Sequence, residues 1–238
     1  MQLLTEMPDE EKVVRGIIAL IEILPVNKMI QGSLKKQIAG QQEEIEWSQF
    51  FVWDIKVESN TPSPDTFMVL YILHDLLVYD QPPDNVKGKT VNEIQKAQVQ
   101  SQLSQYFMHR GGLHYLIDMF RLLDKTLIDS KTLVNKSLTL FLKLIQHLFT
   151  PKLFPMVEKT LQEEIYQKLF WETMLIIEAF ITKTVAQQTN QPEGHRILKK
   201  DLVLIQLSLG LFGRLVSLRP VQTIKLFYQF PNMQDLLC

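Results

Sequence analysis

Apolar residues along this chain recur mostly at intervals of three and four, the spacing that places them on one face of an α-helix. The stretch that precedes Pro25 shows both the pattern and its boundaries. Pro8 suits the first helical position, and the acidic residues that follow it favour the positive end of the helix dipole. The apolar stripe of this predicted helix comprises Val13, Ile17, Leu20, Ile21 and Leu24. We therefore predict a helix from about residue 8 to residue 24 with one buried face.

The same periodicity predicts helices through most of the remaining chain. They are predicted over residues 43–55, 63–80, 92–110, 113–123, 130–149, 156–187, 202–218 and 220–230. The segment 156–187 fits either two helices or one bent helix. Ser63 and Ser130 suit N-cap positions, and Asp201 is a candidate cap for the helix that follows it. Residues 80–90 contain two prolines, a glycine and several charges, and predict an exposed loop.

The helix predicted over residues 202–218 is apolar almost all round. A helix of this kind is either buried in a soluble protein or embedded in a membrane. At about 1.5 Å per residue this one barely crosses a bilayer core, and it contains several polar residues, so burial is favoured. Gly210 and Gly213 would allow a neighbouring helix to approach closely. We predict that this is the most buried helix of the chain.

A pair of glycines interrupts the helical pattern in the stretch "HRGGLHYLIDMFRLL", residues 109–123. Gly111 follows Arg110 at a position where a helix C-terminus favours a residue with positive φ. The apolar periodicity restarts at once with Leu113 and Leu116. We predict that Gly111 and Gly112 form a structural corner between two helices.

The predicted elements define an all-α fold. No alternation typical of strands and turns is present, and nine glycines are few for a β-rich or α/β chain of 238 residues. The apolar faces of successive helices are too wide for a single partner helix and are joined by short corners. This combination favours armadillo/HEAT-like stacked helices over a four-helix bundle. We predict one elongated helical domain over residues 1–238, with an armadillo-like core at residues 92–150.

The charge balance and the cysteine count limit the partners and the cellular compartment that we expect. The net charge is −1, from 25 basic and 26 acidic residues, so no global field attracts nucleic acid. Cys238 is the only cysteine, which excludes an internal disulfide and favours an intracellular, cytoplasmic location. The N-terminal residues lack the pattern of a secretory signal, and no segment predicts membrane insertion.

The sequence contains no recognisable set of catalytic groups. The segment "KGKT" at residues 87–90 ends like a phosphate-binding loop, but Pro83 stands where the first glycine is required. The five histidines lack metal-ligand spacing, and the acidic pairs are typical of solvated helix faces. We therefore predict no catalytic residue, no cofactor and no metal. An independent all-α enzyme would need a polar cavity with perturbed ionisable groups, which the sequence does not display.

Two groups of residues are candidates for partner binding. Trp47, Phe50, Phe51 and Trp53 are spaced either for a helical core or for a peptide-binding patch. The stronger candidate is a polar strip on the helix predicted over residues 130–149, because stacked helical repeats bind partners along exposed polar helix faces. This strip comprises Asn135, Lys136, Thr139, Lys143 and Gln146. Its alternative interpretation is an ordinary solvated face.

A family resemblance lies in residues 103–149. The segment "LSQYFMHRGGLHYLIDMFRLL", followed by "TLVNKSLTLFLKLIQHLF", resembles an armadillo-type repeat with a short helix, a Gly-Gly corner, a second helix and a longer one. More specifically, the pattern "F…GGL..L…F" followed by "K.L.L.LKLI" resembles the armadillo-like regions of very large ubiquitin-specific proteases, outside their catalytic domain. The similarity is softer from Phe67 onward.

The resemblance implies that the chain is a non-catalytic scaffold segment of a deubiquitinating enzyme that contacts substrates, ubiquitin chains or regulatory proteins. The catalytic cysteine and histidine boxes of that family are absent from the sequence, so no active-site residue is carried over. The alternative is a free-standing armadillo/HEAT-like adaptor in trafficking, transport or signalling. Both readings predict protein partners.

Overall fold

The structure is a computed structural model that describes residues 11–23, 28–40, 62, 64–78, 91–123, 125, 132–190 and 199–231. Helices make up 89% of the described residues, and no strand occurs among them. The predicted all-α class is therefore confirmed.

The helices are numbered here in chain order. They are α1 (Glu11–Ile23), α2 (Lys28–Ala39), α3 (Pro64–Leu77), α4 (Val91–His109), α5 (Gly112–Leu122), α6 (Thr132–Leu148), α7 (Lys159–Asn190), α8 (Lys199–Leu218) and α9 (Pro220–Gln229). A short 3₁₀ turn, Phe154–Met156, precedes α7. The chain divides into two compact units, residues 1–148 and residues 149–238. We call them unit 1 and unit 2.

Helix α6 is the centre of unit 1. It packs against α1, α3 and α5, while α4 packs against α2, α3 and α5. Leu138, Phe141, Ile145 and Leu148 follow the helical repeat and are fully buried, and Leu144 is buried as well. Because neighbours lie on several sides, the buried part of α6 is wider than one amphipathic stripe. Each such side chain contributes roughly 1.5–3 kcal/mol through burial.

The corner between α4 and α5 is made by the two glycines in different ways. Gly111 has a φ of 73°, the left-handed conformation that only glycine adopts without strain. Its amide donates to the carbonyl of Met108 at 3.2 Å, which ends α4. Gly112 has an ordinary φ, but a Cβ atom built on it would lie 2.5 Å from the ring of Phe107. The first glycine is required by the backbone and the second by packing.

Unit 2 is built on the long helix α7. This helix is continuous over Lys159–Asn190, so the segment forms one helix and the two-helix alternative is wrong. It packs against α8, and α9 contacts both helices. The ring of Phe170 lies 6.3 Å from that of Phe212, and the hydroxyl of Tyr166 donates to the carbonyl of Leu215 at 2.9 Å. Residue numbers rise on one helix as they fall on the other, so α7 and α8 are antiparallel.

Some helix predictions differ from the structure. Helix α2 was not predicted, because its apolar signal is thin. Only Leu34 and Ile38, both buried, mark its inner face among the residues whose side chains are described. Helix α8 begins at Lys199, so Asp201 lies in its first turn and is not the N-cap. Helix α4 has 19 residues and is not the short first helix of the armadillo pattern. The predicted helix at 43–55, the loop at 80–90 and the Ser63 and Ser130 caps lie outside the described residues.

The prediction that residues 202–218 form the most buried helix is wrong. Leu202 and Leu209 are about half exposed, whereas Leu204, Leu211 and Leu215 are buried. The part of unit 2 that is described covers only one side of α8. Nothing lies within 4 Å of a Cβ atom built on Gly213, so the close approach predicted there is also wrong.

Candidate protein-binding surfaces

The predicted polar strip lies on α6 but is partly covered by α1. Lys136 forms an ion pair with Glu22 of α1, with Nζ and Oε1 2.6 Å apart. One turn earlier, the guanidinium Nε of Arg15 donates to the hydroxyl of Thr132 at 3.1 Å. Helix α1 therefore lies along the N-terminal half of the strip.

The remaining residues of the strip do not form one exposed patch. Asn135 is buried, and its amide nitrogen has no hydrogen-bond partner in the described part of the chain. The hydroxyl of Thr139 donates back to the carbonyl of Asn135 at 2.9 Å. Gln146 is half-buried, and Lys143 is the one residue of the five that is exposed. The five predicted residues thus share a helix without presenting one continuous binding face.

A groove with both polar and apolar walls lies in unit 1 between α2, α3 and α4. It encloses about 380 Å³ and is lined by side chains from all three helices. The amide nitrogen of Gln31 donates to the carboxylate of Asp75 at 2.9 Å. The amide nitrogen of Gln100 donates to the main-chain carbonyls of Asp75 at 2.8 Å and Val78 at 3.3 Å. We call this site the α2–α4 groove.

An apolar face on α9 is the most exposed apolar feature among the described residues of unit 2. Val221, Ile224 and Tyr228 are spaced by three and four residues and lie on one side of the helix. Ile224 is 56% exposed and Tyr228 is 82% exposed. The opposite side of α9 buries Thr223 and Leu226. We call the exposed stripe the α9 apolar face.

Helix α8 also presents apolar side chains to solvent. Leu202, Leu209 and Val216 are exposed and recur every seven residues, which keeps them on one side of the helix. The other exposed positions between Leu202 and Val216 are Val203, Gln206, Gly210 and Gly213, and none of these residues carries a charge.

A polar cluster fixes α9 against α7. Arg219, just before α9, donates to the carboxylate of Glu163 at 2.8 Å, and its guanidinium lies 5.5 Å from the ring centre of Tyr166. The hydroxyl of Tyr166 also hydrogen-bonds the hydroxyl of Thr223. Burial is the main cause that raises the pKa of Tyr166, and Glu163 raises it further, while Thr223 and Arg219 oppose the change. The cluster links the start of α9 to α7.

Reactive groups come together at one place in unit 1 without forming a catalytic site. Nε2 of His147 lies 3.3 Å from the hydroxyl of Ser104. That hydroxyl also lies within hydrogen-bond distance of the carbonyls of Gln100 and Leu77. Ser104 is almost fully buried, so a substrate has no access to it. Among the described residues, no three His, Cys, Asp or Glu side chains are grouped so as to hold a metal ion.

Within the described ranges, no helix combines the length and the apolar character needed to cross a bilayer. No protein-family model, curated protein or solved structure matches this chain.

Sequence reasoning missed the α9 apolar face because α9 is apolar on two sides. Its pattern contains Leu226 and Phe230, which are buried, and also Ile224 and Tyr228, which are exposed. Periodicity identifies apolar stripes but does not say which stripe meets a neighbour. The α2–α4 groove was missed for a different reason: Gln31, Asp75 and Gln100 are far apart in sequence and meet only through tertiary packing.

Proposed function

We propose that this chain is a non-catalytic protein-interaction scaffold that binds a partner through the α9 apolar face. The observation that carries the proposal is the exposure of Val221, Ile224 and Tyr228 on one side of a ten-residue helix. Single exposed apolar residues are common, whereas an aligned group of large ones is typical of an interaction surface.

The geometry of α9 suits a helical partner. An amphipathic helix binds another through anchors spaced by three and four residues, which is the spacing of the three exposed residues. Lys225 is exposed beside them and would pair with an acidic residue on the partner. The Arg219, Tyr166 and Glu163 cluster fixes α9 before binding, so little conformational entropy is lost when the partner docks.

The wider setting that we propose is the armadillo-like region of a large ubiquitin-specific protease. The family resemblance in residues 103–149 supports it, as does the order of α4, the glycine corner, α5 and α6, although α4 is longer than the first helix of the armadillo pattern. In this setting the partners are substrates or regulators of the deubiquitinating enzyme. A free-standing armadillo/HEAT-like adaptor would use the same surface, and the intact mass of the native protein separates the two readings.

The test of binding compares two apolar residues that are equally exposed, one on the α9 apolar face and one outside it. Ile224 is 56% exposed on α9, and Leu20 is 55% exposed on α1. Tagged chains carrying Ile224→Asp or Leu20→Asp are expressed in cells, cross-linked and purified, and their partners are quantified by mass spectrometry. We expect Ile224→Asp to lose partners that Leu20→Asp retains. Equal recovery of every partner by the two variants would contradict the proposal.

The setting is tested on the untagged native protein. An antibody raised against this segment captures it from cells, and its intact mass is measured. A mass several times 27.8 kDa is expected for a segment of a large protease. A mass near 27.8 kDa would contradict that setting and favour the free-standing adaptor.

A further inference from the structure

We propose that the exposed apolar side chains of α8 and α9 form one continuous surface, which binds an amphipathic helix that carries acidic residues beside its apolar stripe. The inference rests on the proposed function, because the α9 apolar face is part of this surface. It adds a second part on α8, and it assigns the charge and the length of the partner helix.

Helices α8 and α9 are antiparallel neighbours. They pack against each other and are joined by Arg219 alone. The hydroxyl of Thr223 lies 3.2 Å from the carbonyl oxygen of Leu215, and both residues are four positions from the corner. Further from the corner, the ring centres of Phe212 and Phe227 are 6.2 Å apart. Because the contacts continue away from the corner on both helices, α9 lies alongside the C-terminal half of α8.

The contact between the two phenylalanines joins two apolar stripes. Phe212 lies on the same side of α8 as Leu209, three residues earlier, and Val216, four residues later. Phe227 lies on the same side of α9 as Ile224, three residues earlier. Both rings are half-buried, whereas Leu209 is 52% exposed and Ile224 is 56% exposed. The apolar surface therefore continues from one helix to the other, and we call these five residues the α8–α9 surface.

The spacing along α8 suits a helical partner. Leu202, Leu209 and Val216 recur every seven residues, and Ile205 and Phe212 lie between them at intervals of three and four. This heptad pattern is the one by which two helices pack side by side. At about 1.5 Å per residue the stripe is about 21 Å long, so a partner helix of about four turns covers it. Because α9 lies beside the same stretch of α8, such a helix contacts both.

The charges around the surface indicate the class of the partner helix. Residues 202–231 contain no Asp or Glu, and their charged residues are Arg214, Arg219 and Lys225. Arg219 forms an ion pair with Glu163 of α7, and Lys225 is exposed beside the α9 apolar face. A surface with basic residues and no acidic one favours an acidic partner and repels a basic one.

The same charges disfavour two other occupants of the surface. A second copy of the chain would bring the basic residues of α8 and α9 close to those of the first copy. An anionic membrane holds a protein through a cluster of exposed basic residues. Of the three basic residues in residues 202–231, Lys225 is the one that is exposed. An acidic amphipathic helix matches the apolar spacing and the charge together.

The test begins with a phage-displayed library of amphipathic helices of about 20 residues, long enough to cover the stripe. Leucine is fixed at the heptad core positions, and the other positions are random. The library is selected on the whole chain. We expect the enriched helices to contain more Asp and Glu, and less Lys and Arg, than the starting library.

The affinity of an enriched helix is then measured on variants of the two halves of the surface. Leu209→Asp and Ile224→Asp should each weaken binding by at least about tenfold, because each places a charge in the apolar contact. Leu20→Asp is the matched control, since Leu20 is 55% exposed on α1, and it should stay within about twofold of wild type. Val216→Asp repeats the test at a second position of α8. Circular dichroism checks that each variant keeps the helix content of the wild type.

The charge assignment is tested with lysine variants. Lys225→Glu should weaken binding of an acidic helix by at least about threefold. Lys36→Glu changes an exposed lysine of α2 and gives the same net charge, so it should stay within about twofold of wild type. Replacing the acidic residues of the peptide with lysine should make Lys225→Glu the better binder of the two.

Loss of binding with Ile224→Asp but not with Leu209→Asp or Val216→Asp would overturn the joint surface and leave the α9 apolar face as a site by itself. Enrichment without an acidic bias would overturn the charge assignment. Failure to enrich any helix would overturn the whole inference, whereas the proposed function is decided separately by the partners that Ile224→Asp loses in cells.

Two further measurements on the wild type address the other occupants. Sedimentation velocity shows whether the chain dimerises, and flotation with phosphatidylserine vesicles shows whether it binds an anionic membrane. We expect neither to depend on Leu209. Dimerisation or vesicle binding that Leu209→Asp abolishes would overturn the inference and assign the surface to a second copy or to a membrane.

Discussion

Units 1 and 2 use the same apolar periodicity with opposite results. In unit 1, α6 is flanked by α1, α3 and α5 and buries apolar residues round most of its circumference. In unit 2, α9 buries Thr223 and Leu226 and leaves its second apolar stripe in solvent. The difference lies in the number of neighbouring helices, since both helices carry more apolar surface than one neighbour covers. Where other helices pack on this additional apolar surface, it becomes part of the core. Where no helix packs on it, it stays exposed and is a candidate interface.

The comparison is tested most strongly by removing one large apolar side chain from each helix. Phe141→Ala in α6 should lower the free energy of unfolding by about 3–5 kcal/mol, because the side chain is fully buried and leaves a cavity. Ile224→Ala in α9 should change it by less than about 0.5 kcal/mol. Urea unfolding followed by circular dichroism measures both values. Similar losses of unfolding free energy in the two variants would contradict the claim that α6 is core and the α9 apolar face is not.

The packing of unit 1 can be probed at the helix corner. Gly112→Ala places a methyl group where the ring of Phe107 lies, 2.5 Å from the new Cβ. We expect a loss of about 1–3 kcal/mol from overpacking. Gly32→Ala is the control, because nothing lies within 4 Å of a Cβ atom there. This control should be neutral or slightly stabilising, since alanine favours a helix interior. A neutral Gly112→Ala would mean that the corner tolerates a side chain.

The polar cluster that fixes α9 predicts a smaller effect in unit 2. Tyr166→Phe removes the hydroxyl that bonds Thr223 and the carbonyl of Leu215, while the ring and its packing remain. We expect a loss of about 0.5–1.5 kcal/mol at neutral pH. Partner capture through the α9 apolar face should weaken with it, since α9 is less firmly held. Unchanged stability would show that the cluster does not fix α9.

The same tyrosine predicts a pH dependence. Burial raises the pKa of Tyr166 above its ordinary value of 10.0, so folding favours the neutral phenol. Its contribution to stability is complete below pH 10 and is lost as the pH rises through the raised pKa. The free energy of unfolding of the wild type should therefore fall more steeply above pH 10 than that of Tyr166→Phe. If the two proteins lost stability in parallel above pH 10, Tyr166 would not be the group responsible for the pH dependence.

The contact between α1 and α6 should give the smallest effect. The ion pair between Lys136 and Glu22 is partly exposed, and such pairs contribute about 0–1 kcal/mol. A double-mutant cycle with Lys136→Ala and Glu22→Ala measures the coupling energy, which should decrease at high salt. A coupling that does not respond to salt would mean that the two side chains interact by packing alone.

The sequence predicts the helices better than it predicts their environment. The class of the fold, most helix positions and the ends of α4 and α5 follow from apolar spacing and from two glycines. Burial does not follow, because Leu209 and Leu211 look alike in sequence and differ only in whether α7 or α9 lies beside them. The polar strip on α6 shows the same limit. The sequence predicts Lys136 as a lysine on a polar helix face, and it does not show that Glu22 of α1 lies next to it in the structure.

The central claim is that the α9 apolar face is covered by a protein partner in the cell. The most direct measurement replaces Tyr228 with a photo-crosslinking amino acid in the native chain and compares it with the same replacement at Leu20. The account predicts a discrete cross-linked partner from position 228 that disappears when Ile224→Asp is added, and none from position 20. No adduct from position 228, or the same adduct from both positions, would contradict it.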